Sequence, residues 1–473
     1  MLFSSVVFLL YFLPLTLILY FSALPFKKLQ NLILLLLSLI FYAWGEAWYL
    51  LIMIISIFFN YILGLLIYKY RLKNKIGKIF LILGCTCNLG VLFIFKYLSF
   101  FIKNIDELQG EKFPVPNFVL PIGISFFTFK AVSYLVDTYR GHTEVEKNPL
   151  YVGLYISFFP QLLAGPLSRY NNIVDQIKDR KITWQKFSVG TCRFITGLGK
   201  KVLISNSMAV IVDRIFQMNV YSNVPITLAW LGSIAYTLQI YFDFSGYSDM
   251  AIGIGLMLGF KFEENFNFPY ISKSITEFWR RWHITLSLWF KDYVYFPLGG
   301  SRVSNKDKLI RNLFVVWVLT GVWHGAEWTF VMWGFLNFVF IAFEKVISFE
   351  KINIKGVYKH IYALFIINLG WVIFRSDNLI VAGKYISCMF GLANNAFWSP
   401  YTFMFIKENI IYFIAAFVLS TPISRKINKF IVDMGKGYAF LEILYPFTII
   451  GLFFVSMAYI VKGTYNPFIY FKF

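Results

Sequence analysis

Apolar runs recur from one end of the chain to the other at lengths that a lipid-spanning helix requires. Uncharged stretches cover positions 1–26, 29–45, 47–68, 79–95, 148–168, 215–242, 312–326, 328–343, 361–374, 409–424 and 443–461. Each is long enough to cross, or nearly cross, a hydrocarbon core about 30 Å thick. With shorter broken pieces added, the pattern predicts roughly eleven to thirteen membrane helices of about 20 residues. The first run has no basic leader region and no small-residue cleavage site, so it reads as a retained helix rather than a signal peptide. The fold class expected is therefore an all-α polytopic membrane protein.

The character of the pattern changes along the chain. Up to position 103 it reads as plain hydrophobic hairpins with tight polar connections at 25–28 and 45–46. From Pro114 to about Trp333, prolines, glycines and polar residues interrupt the apolar runs, as in Gly165-Pro166-Leu167-Ser168-Arg169 and the stretch from Asp243 to Asp249. Irregular backbone at membrane depth is tolerated only where protein or a water-filled cavity satisfies its polar groups. The middle of the chain should thus enclose the working site. No repeat, low-complexity tract or separate soluble segment is present, so residues 1–473 read as a single membrane-embedded domain, with hairpins at 1–103, a core at 114–375 and C-terminal helices at 376–473.

Between Phe278 and Tyr293 the apolar positions Phe278, Trp282, Leu286, Trp289 and Tyr293 step by three or four, with Arg280, Arg281, Thr285, Ser287 and Lys291 largely between them. This spacing predicts one amphipathic helix, interfacial or re-entrant, with its tryptophans at headgroup depth. A simple membrane-surface anchor would show the same pattern.

Composition sharpens the class. With 58% hydrophobic, 21% aromatic and only 14% charged residues, the chain lies outside the range of soluble domains. The net charge of +20 would suit nucleic acid if the basic residues formed one stripe, but they fall in short clusters between apolar runs. Clusters at 69–78, 178–201, 302–311, 345–359 and 425–436 mark the cytoplasmic side by the positive-inside rule. The segment 103–112, with Asp106, Glu107 and Glu111, suits the opposite side. Nucleic acid is not an expected partner; membrane lipid is. Cys85, Cys87, Cys192 and Cys388 have neither disulfide nor zinc-site spacing and none adjoins a histidine, so they read as core fillers.

Two of the four histidines sit in tryptophan-framed polar motifs, Arg280-Arg281-Trp282-His283 and Gly321-Val322-Trp323-His324-Gly325. An ionisable group within a membrane segment costs at least a few kcal/mol to insert, which makes it a functional-site candidate by default. If the basic run ending at Arg311 is cytoplasmic, a straight helix carries His324 about 20 Å further, past the bilayer middle. A continuing helix would set Thr320, Gly321, Glu327 and Trp328 on its face, leaving room for a substrate and letting Glu327 orient the ring. A packed histidine bonded to a backbone carbonyl is the alternative. On one helix, His283 would share a face with Trp279, Arg280 and Ser287, and the flanking cations favour its neutral ring. Arg280, Arg281 and Lys291 equally suit the phosphates of a pantetheine-bearing donor or of a lipid. Asp243 and Asp249 read as polar fasteners of a broken helix, and no metal-ligand spacing is visible.

At these residues the chain resembles the membrane-bound O-acyltransferase family, in particular its bacterial alginate O-acetyltransferase-like branch. The resemblance rests on Leu163 to Tyr170, Asp243 to Ala251, Asn265-Phe266-Asn267-Phe268-Pro269-Tyr270, Phe278 to Ser287, Tyr295-Phe296-Pro297-Leu298-Gly299-Gly300 and Gly321 to Gly325. Those stretches run in order from about Pro121 to Arg375. Thr285 departs from the serine expected at its place, and Glu327 and Asn337 sit at variable positions. The resemblance implies helices around a central funnel, His324 as the family's near-universal histidine and His283 as its second functional position. It implies transfer of an acetyl group from a cytoplasmic thioester such as acetyl-CoA, with no resident cofactor, to a cell-surface polysaccharide hydroxyl or an extracytoplasmic acetyltransferase partner. The setting would be the bacterial cytoplasmic membrane. Arg280, Arg281, Trp282, Ser287, Trp323, Glu327, Asp243 and Asp249 are the expected donor- or substrate-binding residues. D-alanyl transfer to teichoic acids with a carrier protein, and transport or lipid flipping without covalent chemistry, are the competing readings.

Overall fold

A computed structural model describes residues 1–45, 47–110, 113–116, 118–221, 223–302, 305–423, 426–427, 430, 438–463 and 465–469. Glu46, Glu111, Lys112 and most of the basic cluster at 425–436 lie outside the described residues. Among the described residues, helix is the only regular structure. This is what lipid demands, since a helix satisfies its backbone hydrogen bonds within one segment. The chain forms two compact units, Met1–Phe194 with Ala251–Glu263, and Ile195–Met250 with Glu264–Phe473.

The first unit contains α1 (Leu13–Ser22), α2 (Lys27–Ala43), α3 (Tyr49–Tyr70), α4 (Asn74–Lys96), α5 (Leu98–Gln109), α6 (Ile124–Arg140), α7 (Pro149–Ser157), α8 (Phe159–Leu162) and α9 (Tyr170–Lys178). Helices α3, α4 and α6 pack together, as do α2 and α7. Asn60 of α3 and Asn88 of α4 exchange amide hydrogen bonds of 3.0 and 2.8 Å in the buried seam. In an apolar medium such a pair fixes helix register, because slipping would leave both amides unsatisfied. Helix α10 (Trp184–Gly199) follows, then α11 (Asn206–Tyr221) and the long α12 (Ile226–Met257).

The rest of the second unit comprises α13 (Ile275–Arg281), α14 (Ile284–Phe290), α15 (Lys306–His324), α16 (Trp328–Val346), α17 (Gly356–Arg375), α18 (Leu379–Met389), α19 (Pro400–Leu419) and α20 (Tyr438–Lys462). The hairpin of α15 and α16 is its tightest feature, and glycines make it so. A Cβ on Gly321 would meet the Phe330 carbonyl oxygen at 2.5 Å, and one on Gly334 the Trp317 carbonyl oxygen at 2.5 Å. Two backbones approach this closely only where side chains are missing.

Seven helices among the described residues are long and apolar enough to cross a membrane: 49–70, 75–96, 184–219, 328–346, 356–375, 400–419 and 443–462. The polytopic all-α architecture stands. The figure is lower than the apolar runs suggested because several of them fold into shorter pieces. Run 1–26 becomes a π turn and α1, and run 148–168 splits into α7 and α8 at Phe158, whose ψ of 110° is extended.

Two expectations about breaks are corrected. The stretch from Asp243 to Asp249 is not broken; it lies inside the continuous α12. Its acids are satisfied from outside the helix, by Lys201 at 2.6 Å from Asp243 and Lys200 at 2.7 Å from Asp249, so the backbone need not open. Conversely, the amphipathic run 278–293 is not one helix. It breaks into α13 and α14 at His283, whose φ of 43° is left-handed.

Candidate active site

His283 is held at a backbone conformation that costs a non-glycine residue about 1–3 kcal/mol, and the irregular segment 265–267 supplies the compensation. The Ile284 amide donates to the Asn265 carbonyl at 3.0 Å, and the Asn267 amide donates to the Arg281 carbonyl at 2.9 Å. The Asn265 side-chain oxygen takes three further contacts: His283 Nδ1 at 3.0 Å, the Thr285 amide at 3.3 Å and the Thr285 hydroxyl at 2.9 Å. Those bonds break the helix where an uninterrupted α13–α14 run would have turned the imidazole with its neighbours. Nε2 of His283 is buried without a hydrogen-bond partner among the described residues. Burial first, then proximity to His324, pushes the His283 imidazole well below the usual histidine range, so the ring is neutral at neutral pH. The segment 275–290 is not one of the seven spans.

Helix α16 fixes α13 from the other side. The buried Glu344 carboxylate accepts from the Ile275 amide at 2.6 Å, the Thr276 amide at 2.8 Å and the Thr276 hydroxyl at 2.6 Å. An anionic acceptor at a helix N-terminus satisfies donors that have no intrahelical partner. Two turns back along α16, Asn337 accepts from Trp279 Nε1 at 2.8 Å and donates to the Trp333 carbonyl, one turn further back, at 2.9 Å. Seven residues of α13 alone would not hold a helix in place; α16 does it for them.

His324 is the last residue of α15, because Gly325 turns extended with φ −167° and ends the helix. Gly325 must be small, since a Cβ there would lie 2.2 Å from the Phe330 ring. The imidazole is buried in an aromatic frame, with ring centroids of Trp323 at 5.0 Å, Trp333 at 5.0 Å and Phe374 at 5.3 Å. Phe244 presents its edge to the His283 ring at 4.6 Å.

Both histidines line one cavity of about 300 Å³. Ser287, Thr320, Arg280 and Lys291 also line it, and the remaining wall is mostly apolar, including Trp279 and Trp317. His324 additionally borders a second, much smaller void of about 20 Å³ walled by Phe244, Trp282, Trp333 and Ile469. It therefore stands between two spaces.

The other expected site residues separate into three groups. Arg280 and Ser287 line the main cavity, Arg280 also pairing with Glu350 at 3.5 Å. Trp282 borders the small void, and Trp323 is buried with its ring 6.3 Å from that of His283. Arg281, Glu327, Asp243 and Asp249 border neither cavity. Arg281 is held by Glu277 at 2.9 Å and by the Asn267 carbonyl. Glu327 is exposed and sits at the N-terminus of α16, so the helical spacing that placed it beneath His324 does not exist. Asp243 is sealed by Lys201 and by the Ile469 amide at 2.8 Å, which keeps its role as a fastener. Asn265, Glu344 and Asn337 are the residues that sequence reasoning left without a role. Glu344 and Asn337 are polar residues inside aromatic or apolar runs, whereas Asn265 lies in a polar stretch beside Glu263 and Glu264, and both signals mark them only in hindsight of the fold.

A profile of the membrane-bound O-acyltransferase family matches residues 15–375. A protein of Pseudomonas aeruginosa named probable alginate O-acetylase AlgI is 44% identical over 82% of the chain and 75% of its own length. Its namesake from Pseudomonas putida is 38% identical over the whole of both chains. A peptidoglycan O-acetyltransferase of Helicobacter pylori is 37% identical over 83% of the chain and 80% of its own length.

Proposed function

The chain belongs to the membrane-bound O-acyltransferase family, and from that premise we propose that it carries an acetyl group from a cytoplasmic thioester to a hydroxyl on the cell surface. Membership makes it an acyltransferase and removes pure transport. The donor is acetyl-CoA or another acyl thioester, bound as substrate. The acceptor is a cell-surface polysaccharide or an extracytoplasmic partner protein that completes the transfer, and the membrane is the bacterial cytoplasmic one. Relatives named for alginate and for peptidoglycan O-acetylation support the polysaccharide class.

The observation that carries the reading is the pair of buried histidines on one cavity that also presents two cations. Arg280 and Lys291 suit the phosphates of a pantetheine-bearing donor, and the apolar wall suits its thioester arm. His324 takes the proton of the acceptor hydroxyl as its oxygen attacks the thioester carbonyl; the C–S bond breaks and the thiol leaves with the proton that His324 returns. A general base of this kind contributes about 10²- to 10⁴-fold.

The test is incorporation of labelled acetyl groups into envelope polysaccharide by cells carrying the intact protein or His324→Ala at matched membrane abundance. Loss of label in the variant alone is the expected result. Equal label in both contradicts the reading, and label supplied only as D-alanine through a carrier protein replaces it with D-alanyl transfer.

A further inference from the structure

The contacts around Asn265 determine which nitrogen of His283 carries the proton. A backbone amide can only donate, so the Asn265 side-chain atom that faces the Thr285 amide at 3.3 Å is the oxygen, not the NH₂ group. The Thr285 hydroxyl donates to the same oxygen at 2.9 Å, and Asn265 Nδ2 donates to the Ser248 hydroxyl at 3.1 Å. The Thr285 amide, an obligate donor, fixes the Asn265 orientation, and the two hydroxyls accommodate it. The atom 3.0 Å from His283 Nδ1 is then an acceptor only, and Nδ1 must be the protonated nitrogen. In a neutral ring the lone pair falls on Nε2, the nitrogen that has no partner among the described residues.

We propose that Asn265 is a positioning residue of the acyl transfer: it locks His283 as the Nδ1–H tautomer and offers its Nε2 lone pair to a hydroxyl or thiol hydrogen in the cavity. The same residue holds the backbone next to the ring through its own carbonyl, so tautomer and ring placement are set together. Free histidine has no such bias. Besides His283 itself, the charged or titratable groups on the shared cavity are His324, Arg280 and Lys291, and among the described residues no carboxylate lines it. Helix α12 faces the ring with Phe244 and reaches Asn265 through Ser248. An uncharged amide is thus the acceptor that orients His283 without drawing a second proton onto it; a carboxylate in its place would stabilise the imidazolium.

The proposal rests on the acyl-transfer reading for its consequence but not for its geometry, and the experiment separates the two. In the full-length protein labelled with ¹⁵N-histidine in lipid, the four histidines are resolved and His283 is assigned by its absence in His283→Gln. The expected signal for His283 is the Nδ1–H tautomer, shifting towards Nε2–H in Asn265→Ala. That variant should lose at least about tenfold in kcat while donor KM changes less. Asn265→Asp keeps an acceptor oxygen for Nδ1 and Thr285, so it retains the tautomer while the acid limb of its kcat–pH profile moves to higher pH. The shift should vanish when His283→Gln is added. An Nε2–H tautomer in the intact protein, or an unmoved acid limb in Asn265→Asp, overturns the proposal. If Asn265→Ala does not accumulate, the Asn265→Asp profile decides alone. The Nδ1–H tautomer in a protein that transfers no acetyl group leaves Asn265 in place and removes the acetyl reading instead.

Discussion

Two regions of the second unit bury ionisable side chains, and the α12 carboxylates and the cavity histidine His283 are treated in opposite ways. On α12, Asp243 and Asp249 meet lysine ammoniums at 2.6 and 2.7 Å, and the Ile469 amide takes another acceptor site on Asp243. Around the main cavity, donors and acceptors are also spent on one another, with Asn265, Glu344 and Asn337 fixing short helices, but one nitrogen of His283 remains over. A pair that consumes its own charge in a dry interior holds structure. A ring nitrogen left without a partner among the described residues, on a residue that lines a cavity, is a candidate for a reactant.

Mutations should part the two regions along this line. The largest expected effect is on chemistry: His283→Gln lowers acetyl transfer by about 10²- to 10⁴-fold with unchanged membrane abundance and thermal unfolding. Similar free energy, but in stability, is at stake in the ion pair. Lys201→Met leaves a buried carboxylate uncompensated and should destabilise the fold by about 3–5 kcal/mol, seen as loss of the unfolding transition or of abundance, while Lys201→Met with Asp243→Leu recovers most of it. If instead Lys201→Met folds normally and loses only activity, the α12 pair belongs to the site. Filling the cavity is milder: Thr320→Phe should raise donor KM by about tenfold or more at a stability cost of about 1–3 kcal/mol. Smallest of all is Glu327→Gln, expected within about twofold of the intact protein, because Glu327 is exposed and off the cavity.

The same contrast explains how far the sequence could be read. Apolar runs announce most spans, because hydropathy is the bilayer's own selection rule. The two histidines announce themselves as ionisable groups in greasy surroundings. What stays hidden is anything a second segment decides. The 3.6-residue period from Phe278 to Tyr293 is intact, yet Asn265 breaks the helix at His283 by offering an acceptor that only the folded chain brings there. In the reverse direction, Gly246 and two acids suggested a break at 243–249, yet lysines from another helix allow α12 to continue. Glu327 looked like a partner of His324 only as long as the helix was assumed to pass Gly325. That His283 and His324 share a cavity follows from α16 gripping α13, through Glu344 and Asn337, which no local pattern encodes.

The central claim is that the two histidines act on one reaction in one cavity, and a double-mutant cycle on acetyl transfer tests it most directly. His324→Ala, His283→Gln and the combined variant are compared at equal membrane abundance with labelled donor. Residues that serve one transition state are far from additive, so the account predicts that the double variant is about as impaired as the worse single one. Losses that multiply, or a single variant with normal transfer, would contradict it.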